Sequence, residues 1–325
     1  MVKLMNLTSA LRYAFPAFLL MPLLWGESDA QSLAMPANFR TSAQMVLVPV
    51  TVTDRYGKSI EGLQAKDFNI QEDQVSRQIV SFAADDAPCS VGLVLDASGS
   101  MRNALGSARS VAQSFLQTAN PGDEYQLLTV STQPEQASGF TTDIADLQES
   151  IARARPNGMT ALIDTVYMGL NGMRKARQPR RALLILSDGM DNYSRYSRSE
   201  LLRVALEADV QIYTIIFDNG IPGASGGGAP FRPVMIRKPG DQGEQHEGAN
   251  LLEDLSNKTG GLHFHARNDT EAKEAAMKVG RALRNEYVIG YQPASTGDTG
   301  KWHRIRVKTN VPKLNVYARN GYYSR

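Results

Sequence analysis

The 325-residue chain contains a single cysteine and only four histidines. One cysteine cannot form a disulfide within the chain, and so few cysteines and histidines exclude a cysteine-rich zinc or iron–sulfur site. The chain also lacks a strong excess of either positive or negative charge, because 35 basic and 33 acidic residues leave a net charge of only +2. A chain this close to neutrality gives no electrostatic reason to expect nucleic acid or an anionic membrane surface as its main partner.

The first thirty residues are organised like a secretion signal. Lys3 and Arg12 precede an apolar run at residues 14–25, and residues 28–30 have the small–x–small form of a cleavage site. The run is shorter than the roughly 20 apolar residues that span a bilayer, and no later stretch comes near that length. We therefore expect residues 1–30 to be a signal peptide and the mature protein to be exported to the periplasm, the cell surface or the medium. A buried N-terminal helix is the alternative, disfavoured because two prolines would kink it.

The middle of the chain alternates buried strands with helices. Two continuous apolar runs, at residues 91–95 and 182–186, and a third, largely apolar stretch at residues 210–217 are typical of strands buried on both faces of a parallel sheet. Further strands are predicted at residues 125–130 and 262–266. Helical patterns lie between and after them, at residues 104–118, 143–155, 161–175, 197–208, 251–259 and 270–284. The helix at 197–208 opens with a capping box, Ser197 with Glu200. This alternation predicts an α/β domain with a doubly wound, mostly parallel sheet and helices on both faces.

Shorter strand patterns flank this region, at residues 44–53, 68–72 and 78–82 before it and at 287–291, 303–308 and 314–319 after it. Three strands seldom bury enough surface to be stable alone. We therefore predict one small β-sandwich formed by both chain ends, with the α/β domain inserted in it; two independent β flaps are the alternative. The predicted organisation is a linker (31–43), a first part of the β module (44–86), the α/β domain (87–284) and a second part of the β module (285–325).

Three segments place oxygen-bearing side chains in loops at strand or helix ends. Asp96, Ser98 and Ser100 alternate directly after the first buried strand, Thr160 precedes a helix, and Asp188 follows the second buried strand. In an open parallel sheet the loops after the strands form the binding crevice, so we expect these side chains to meet. Carboxylates and hydroxyls, without sulfur or imidazole, suit a hard cation such as Mg²⁺ or Mn²⁺.

The order Asp96-x-Ser98-x-Ser100, then Thr160, then Asp188 resembles the metal-ion-dependent adhesion site of von Willebrand factor type A domains. The resemblance covers roughly residues 88–284. The flanks are similar to exported bacterial proteins grouped as VWFA-related, Acidobacteria-type, through residues 52–54, 62–63, 67–68, 283–287 and 290–291.

The resemblance implies a role for each of these side chains. The hydroxyls of Ser98, Ser100 and Thr160 would bind the metal directly, while Asp96 and Asp188 would hold its waters and orient the serines. Because few negative charges bind directly, the cation would stay electrophilic and accept an acidic side chain of a protein partner. The implied function is a non-enzymatic, cation-dependent protein-binding or adhesion module.

Four further residues are candidates for contact with such a partner, namely Met101, Met159, Gly189 and Asp218. The Gly- and Pro-rich insertion at residues 218–248 leaves the end of a buried strand, so it either flanks the site or is a floppy insertion. We interpret residues 191–192 as turn residues, the alternative being that they hold the Asp188 loop. We interpret the basic run at residues 174–181 as a solvated face.

The same residues are compatible with other functions. The motif could be a metal-free remnant in a structural or assembly component of the cell envelope. A metal-assisted hydrolase or phosphatase with Asp96 as nucleophile is less favoured, because Ser98 stands where a second carboxylate is expected. His263 and His265 share one face of a strand, which is either half of a metal site or ordinary packing.

Overall fold

The structure is a computed structural model that describes residues 45–84, 86–217, 241–294 and 299–324, with the main chain alone described for 241–246. The predicted signal peptide, the linker, Asp218 and most of the predicted insertion lie outside these residues. The elements in chain order are β1 (Val46–Thr53), β2 (Phe68–Glu72), β3 (Val75–Arg77), β4 (Ile79–Ala83), β5 (Cys89–Asp96), α1 (Leu105–Leu116), β6 (Glu124–Val130), β7 (Glu135–Thr141), α2 (Ile144–Arg153), α3 (Leu162–Gly172), β8 (Arg180–Ser187), α4 (Arg198–Glu207), β9 (Gln211–Phe217), α5 (Asp241–Thr259), β10 (His263–Ala266), α6 (Asp269–Arg284), β11 (Tyr287–Tyr291), β12 (Trp302–Thr309), β13 (Asn315–Ala318) and β14 (Gly321–Tyr323).

A six-stranded sheet of order β10-β9-β8-β5-β6-β7 lies at the centre of the α/β region. All neighbouring strands in it are parallel except β6 and β7, which are antiparallel. Strands β5 and β9 are buried along their whole length, and β8 is buried from Ala182 onward, as strands covered on both faces must be. The predicted doubly wound, mostly parallel α/β sheet is confirmed.

Helices cover this sheet on both faces. Buried residues of α1, α2 and α6 form one apolar cluster with one face of the sheet, and those of α3, α4 and α5 form another with the opposite face. The register between β5 and β8 pairs Leu95 with Leu186. The loops that leave these two central strands therefore start side by side at the same edge of the sheet.

Two four-stranded sheets contain strands from both sides of the α/β region, in the orders β13-β1-β11-β4 and β14-β12-β2-β3. Their buried residues form one cluster, which includes Val48, Val50, Phe68, Ile289 and Ile305. In the described part of the chain, no helix is long and apolar enough to cross a membrane.

The structure adds three strands that the sequence patterns did not predict, namely β3, β7 and β14. Each is an outermost strand of its sheet, and β3 and β7 are largely exposed, so neither has the apolar pattern of a buried strand. Helix α5 begins at Asp241 rather than at the predicted residue 251, so the end of the predicted insertion is helical.

The basic run at residues 174–181 is not a solvated face throughout, because Arg180 is largely buried. Its guanidinium donates to Glu286 Oε2 from Nε (3.0 Å), to the carbonyl of Ala87 from Nη1 (3.0 Å) and to the carbonyl of Leu283. Ala87 leads into β5, and Leu283 and Glu286 lead out of α6. One side chain therefore ties together the two points where the chain passes between the small sheets and the α/β region.

Candidate metal centre

Asp96 ends strand β5 and is completely buried. Its Oδ1 accepts a hydrogen bond from the main-chain N–H of Ser98 (3.0 Å), which folds the following loop back over the carboxylate. Its Oδ2 accepts a hydrogen bond from the hydroxyl of Ser187 (2.5 Å), the last residue of β8. The carboxylate is therefore fixed by two neighbouring strand ends.

Asp188 follows β8 directly and is also buried. Its Oδ1 accepts a hydrogen bond from the main-chain N–H of Met190 (3.1 Å). Burial raises the pKa of both Asp96 and Asp188, and the charge of Asp188 raises the pKa of Asp96 further. The two carboxylates thus share one buried site, in which their negative charges repel each other.

Ser98 and Ser100 place hydroxyl groups between these carboxylates. Their Oγ atoms are 2.9 Å apart. The Ser98 hydroxyl lowers the pKa of Asp96 and the Ser100 hydroxyl lowers the pKa of Asp188, because each favours the ionised carboxylate and so opposes the effect of burial. Ser98 is buried whereas Ser100 is exposed. A chain of polar groups therefore runs from one carboxylate to the other and reaches the surface at Ser100.

The segment before α3 packs directly on the loop after β5. The main-chain N–H of Gly99 donates to the carbonyl of Gly158 (3.0 Å), and that of Asn157 donates to the carbonyl of Ala97 (2.8 Å). These two bonds run in opposite directions between the segments, so they fix the position of one against the other.

Thr160 lies in this segment, is buried, and is held by Asn192. The Thr160 N–H donates to Asn192 Oδ1 (2.9 Å), and the Asn192 N–H donates to the Thr160 carbonyl (3.0 Å). Because Asn192 belongs to the loop that carries Asp188, Thr160 is connected to both carboxylate loops. The hydrogen bonds that fix Thr160 use its main chain.

Residues 191–192 are more than turn residues, because both bind the segment around Thr160. Asp191 Oδ1 accepts from the main-chain N–H of Ile163 (3.1 Å) in the first turn of α3 and from the Ser194 hydroxyl (2.5 Å). The alternative interpretation of these two residues, that they hold the loop, is the one that the structure supports. Their signal in the sequence is an Asp-Asn pair just beyond the second carboxylate.

Two glycines allow the loops to approach so closely. Gly158 has φ +71°, and a Cβ there would collide with the side chain of Thr132, whose Oγ1 accepts from the Met159 N–H (2.9 Å). Gly189 has φ +79°, and a Cβ there would lie 2.8 Å from the main-chain nitrogen of Ala249. Both positions require a left-handed main chain that glycine adopts without strain.

The donor set suits a hard divalent cation. It offers two buried carboxylates, whose mutual repulsion a cation would relieve, and hydroxyl oxygens of the kind that Mg²⁺ and Mn²⁺ accept. Among the described residues, no group of three or more histidine, cysteine, aspartate or glutamate side chains could hold a metal ion. Binding here would therefore depend on the hydroxyls and on water as well as on Asp96 and Asp188.

The candidate contact residues fall in different environments. Met159 is 47% exposed beside Thr160. Met101 is fully buried and packs in the apolar core under the loop, and Gly189 is also buried. Neither residue is therefore accessible to a partner. Tyr193, which the sequence patterns did not single out, is 51% exposed, and its N–H donates to the Thr160 carbonyl (3.0 Å).

The second candidate for metal binding is the pair His263 and His265. His265 Nε2 lies 2.8 Å from Glu253 Oε1, and burial lowers the pKa of His263. Both histidines lie on the outer strand β10, and among the described residues they belong to no group of three or more side chains that could hold a metal ion.

Residues 91–190 match a family model described as von Willebrand factor type A domain. The comparison with curated proteins gives no significant match. The match over residues 91–190 includes Asp96, Ser98, Ser100, Thr160 and Asp188.

Several solved structures are similar in fold. The von Willebrand factor type A protein from Catenulispora acidiphila is 11% identical with a TM-score of 0.48, covering 88% of this chain and 75% of that chain. The vWF domain of the type V pili tip protein Mfa5 from Porphyromonas gingivalis is 16% identical with a TM-score of 0.47, covering 62% of this chain and 96% of that chain. An aerotolerance-related membrane protein from Bacteroides fragilis is 15% identical with a TM-score of 0.43, covering 59% of this chain and 98% of that chain.

Proposed function

We propose that this protein, whose residues 91–190 match the family model of the von Willebrand factor type A domain, is an exported, non-enzymatic module that binds a protein partner through a divalent cation. The cation, Mg²⁺ or Mn²⁺, would be held by Asp96, Ser98, Ser100, Thr160 and Asp188. When bound, it would supply a coordination position for an aspartate or glutamate of the partner. Export is part of the proposal because of the signal-like residues 1–30.

The observation that carries this proposal is the linked set of oxygens from Asp96 to Asp188. Two buried carboxylates are costly unless something compensates their charge. The hydroxyls of Ser98 and Ser100, 2.9 Å apart, can hydrogen-bond the carboxylates or turn their lone pairs to a cation. A metal that many neutral oxygens bind retains most of its charge, which favours an anionic partner group.

The surface beside Thr160 supports a protein partner. Met159 and Tyr193 are exposed there, and Tyr196, 41% exposed, stacks on Tyr167 with ring centroids 4.0 Å apart. Exposed aromatic and methionine side chains are enriched in the cores of protein interfaces. An acidic side chain bound at the metal would bring its neighbours onto this surface.

The direct test is calorimetric titration of the purified mature chain with Mg²⁺ and with Mn²⁺, for the wild type and Ser98→Ala. We expect one bound ion in the wild type and an affinity at least about tenfold lower in the variant, since one ligand is lost. A cation at about 100 times its Kd should also stabilise the fold by about 2.7 kcal/mol. Ser114→Ala is the matched control, because the Ser114 hydroxyl donates to a carbonyl of its own helix, away from the candidate metal centre.

The absence of uptake at millimolar Mg²⁺ and Mn²⁺ would contradict metal dependence and favour the metal-free envelope component. Affinity capture from envelope extracts, with Mg²⁺ and with chelator, then tests partner binding. The phosphatase alternative predicts turnover that Asp96→Ala abolishes, whereas the proposed module shows no turnover.

A further inference from the structure

A cleft of about 330 Å³ opens beside the candidate metal centre. One part of its lining is Ala97, in the loop after β5, together with Asn157, whose main-chain N–H donates to the Ala97 carbonyl. Glu135 on β7 and the arginines Arg153 and Arg155 at the end of α2 are among its other lining residues. A group bound in this cleft would lie next to a partner held at Ser98 and Ser100.

Positive charge accumulates at the α2 end of the cleft. Arg155 Nη1 donates to the carbonyls of Ala152 (2.7 Å) and Ala154 (3.0 Å), and Arg109 on α1 donates to the carbonyl of Ala154 as well. The C-terminal carbonyls of a helix attract cations, which explains why both guanidinium groups gather there. Burial, and then the charge of Arg155, lower the pKa of Arg109, so the two cations repel each other.

The surrounding carboxylates do not neutralise this pair. Arg153 has its own partner, Glu149, one turn earlier on α2. In the part of the chain that the structure describes, Glu135, Arg109 and Arg155 form no ion pair, although Glu135 and Arg155 line the same cleft. Arg155 is hydrogen-bonded through Nη1, which leaves Nε and Nη2 for the paired, parallel bonds that guanidinium makes with a carboxylate.

We propose that the partner presents two acidic groups, one to the cation and a second to Arg155 in this cleft. The inference rests on the proposed function, since the first group needs the metal. It adds a specificity element that the metal cannot supply, because any exposed aspartate or glutamate could reach the cation. A second acidic residue at the correct spacing would distinguish the partner from other acidic surfaces.

The test uses fluorescein-labelled, glycine-rich peptides with one glutamate or with two, separated by about one to four residues, which spans roughly 4–14 Å. Binding to the full mature chain in Mg²⁺ is measured by fluorescence anisotropy. We expect one spacing to bind at least about tenfold more tightly than the single-glutamate peptide, because hydrogen bonds between charged groups are strong. Arg155→Gln should abolish this gain and leave binding of the single-glutamate peptide unchanged.

Arg203→Gln is the matched control, since it removes one positive charge from an exposed position on α4, across the sheet from the cleft. It should keep the gain from the second glutamate. A single-glutamate peptide that binds in Mg²⁺ without any gain from a second glutamate, or a gain that survives Arg155→Gln, overturns this inference alone. Binding of neither peptide, or binding that chelator does not affect, contradicts the proposed function itself.

Discussion

Ser187 connects the two carboxylate loops, although it is not one of the five predicted ligands. Its hydroxyl donates to Asp96 Oδ2 and accepts a hydrogen bond from the Gly189 N–H (3.0 Å). Ser187→Ala leaves that buried N–H without a partner and frees the carboxylate. We expect the free energy of unfolding, measured with urea in chelator, to fall by about 1–3 kcal/mol. Mg²⁺ affinity should fall about 10- to 100-fold, as for other groups that orient metal ligands.

Ser114→Ala serves again as the comparison, because it removes a hydroxyl that donates to the Ser110 carbonyl within α1. Equal Mg²⁺ affinity in Ser187→Ala and the wild type would show that Asp96 needs no such support. A loss of stability with unchanged affinity would assign Ser187 a purely structural role.

Gly158 tests whether the close approach of the loops matters. Gly158→Ala puts a Cβ against Thr132 and strains a main chain with φ +71°, so we expect a lower melting temperature and weaker Mg²⁺ binding. Gly106→Ala is the counterpart, because a Cβ at this α1 position meets nothing within 4 Å. That change should stabilise the fold by up to about 1 kcal/mol. Similar melting temperatures for the two variants would contradict the steric argument.

For the individual residues of the candidate metal centre, the sequence indicated the candidate ligands but not the neighbouring residues that hold them in place through hydrogen bonds. The alternation of Asp96, Ser98 and Ser100 after an apolar run is visible in one segment. The sequence could not show that Ser187 holds the Asp96 carboxylate, because this contact follows from the register in which β5 pairs with β8. Asn192 likewise acts on Thr160, 32 residues away.

At the scale of the elements, the ion pair of Arg180 with Glu286 holds together the start of β8, the residues before β5 and the end of α6. Arg180→Met leaves a buried carboxylate without its cation, and breaking a buried pair in this way costs about 3–5 kcal/mol. Denaturant unfolding near neutral pH measures the loss. Glu286→Gln combined with Arg180→Met should recover part of it, because it removes the uncompensated charge.

The same pair gives a pH dependence. Burial raises the pKa of Glu286 above its ordinary value of 4.5, against the opposing effect of Arg180. In Arg180→Met the folded-state pKa rises further, so above pH 4.5 the unfolded chain ionises while the folded chain still keeps the proton. The stability deficit of the variant should therefore be small near pH 4 and grow as the pH rises toward about 7. A deficit that does not change with pH would rule out Glu286 as its cause.

Element prediction worked where burial leaves a strong pattern. Strands β5, β8 and β9 were recognisable because both faces are apolar, and the capping box at Ser197 indicated the start of α4. Strand β7 was not, because it is held by its antiparallel pairing to β6 rather than by apolar side chains of its own. Arg180 resembled the end of a solvated basic run, since nothing local shows that Glu286 meets it.

For the molecule as a whole, the two small sheets interleave strands from distant parts of the chain. Strand β1 pairs with β11 and β13, and β2 pairs with β12 as well as β3. We expect a fragment of residues 45–84 to show the circular dichroism of an unfolded chain, because its strands then lack most of their neighbours. Addition of a fragment of residues 285–324 should restore β structure. Cooperative unfolding of the first fragment alone would contradict this expectation.

The Arg180 link and the candidate metal centre lie at opposite ends of the same central strands. Strand β5 runs from Cys89, near the link, to Asp96 at the centre, a distance of about 23 Å at 3.3 Å per residue. A pull between a captured partner and the small sheets would act along β5 and β8. Their interstrand hydrogen bonds would then be loaded together in shear rather than opened one at a time, an arrangement suited to an attachment under tension.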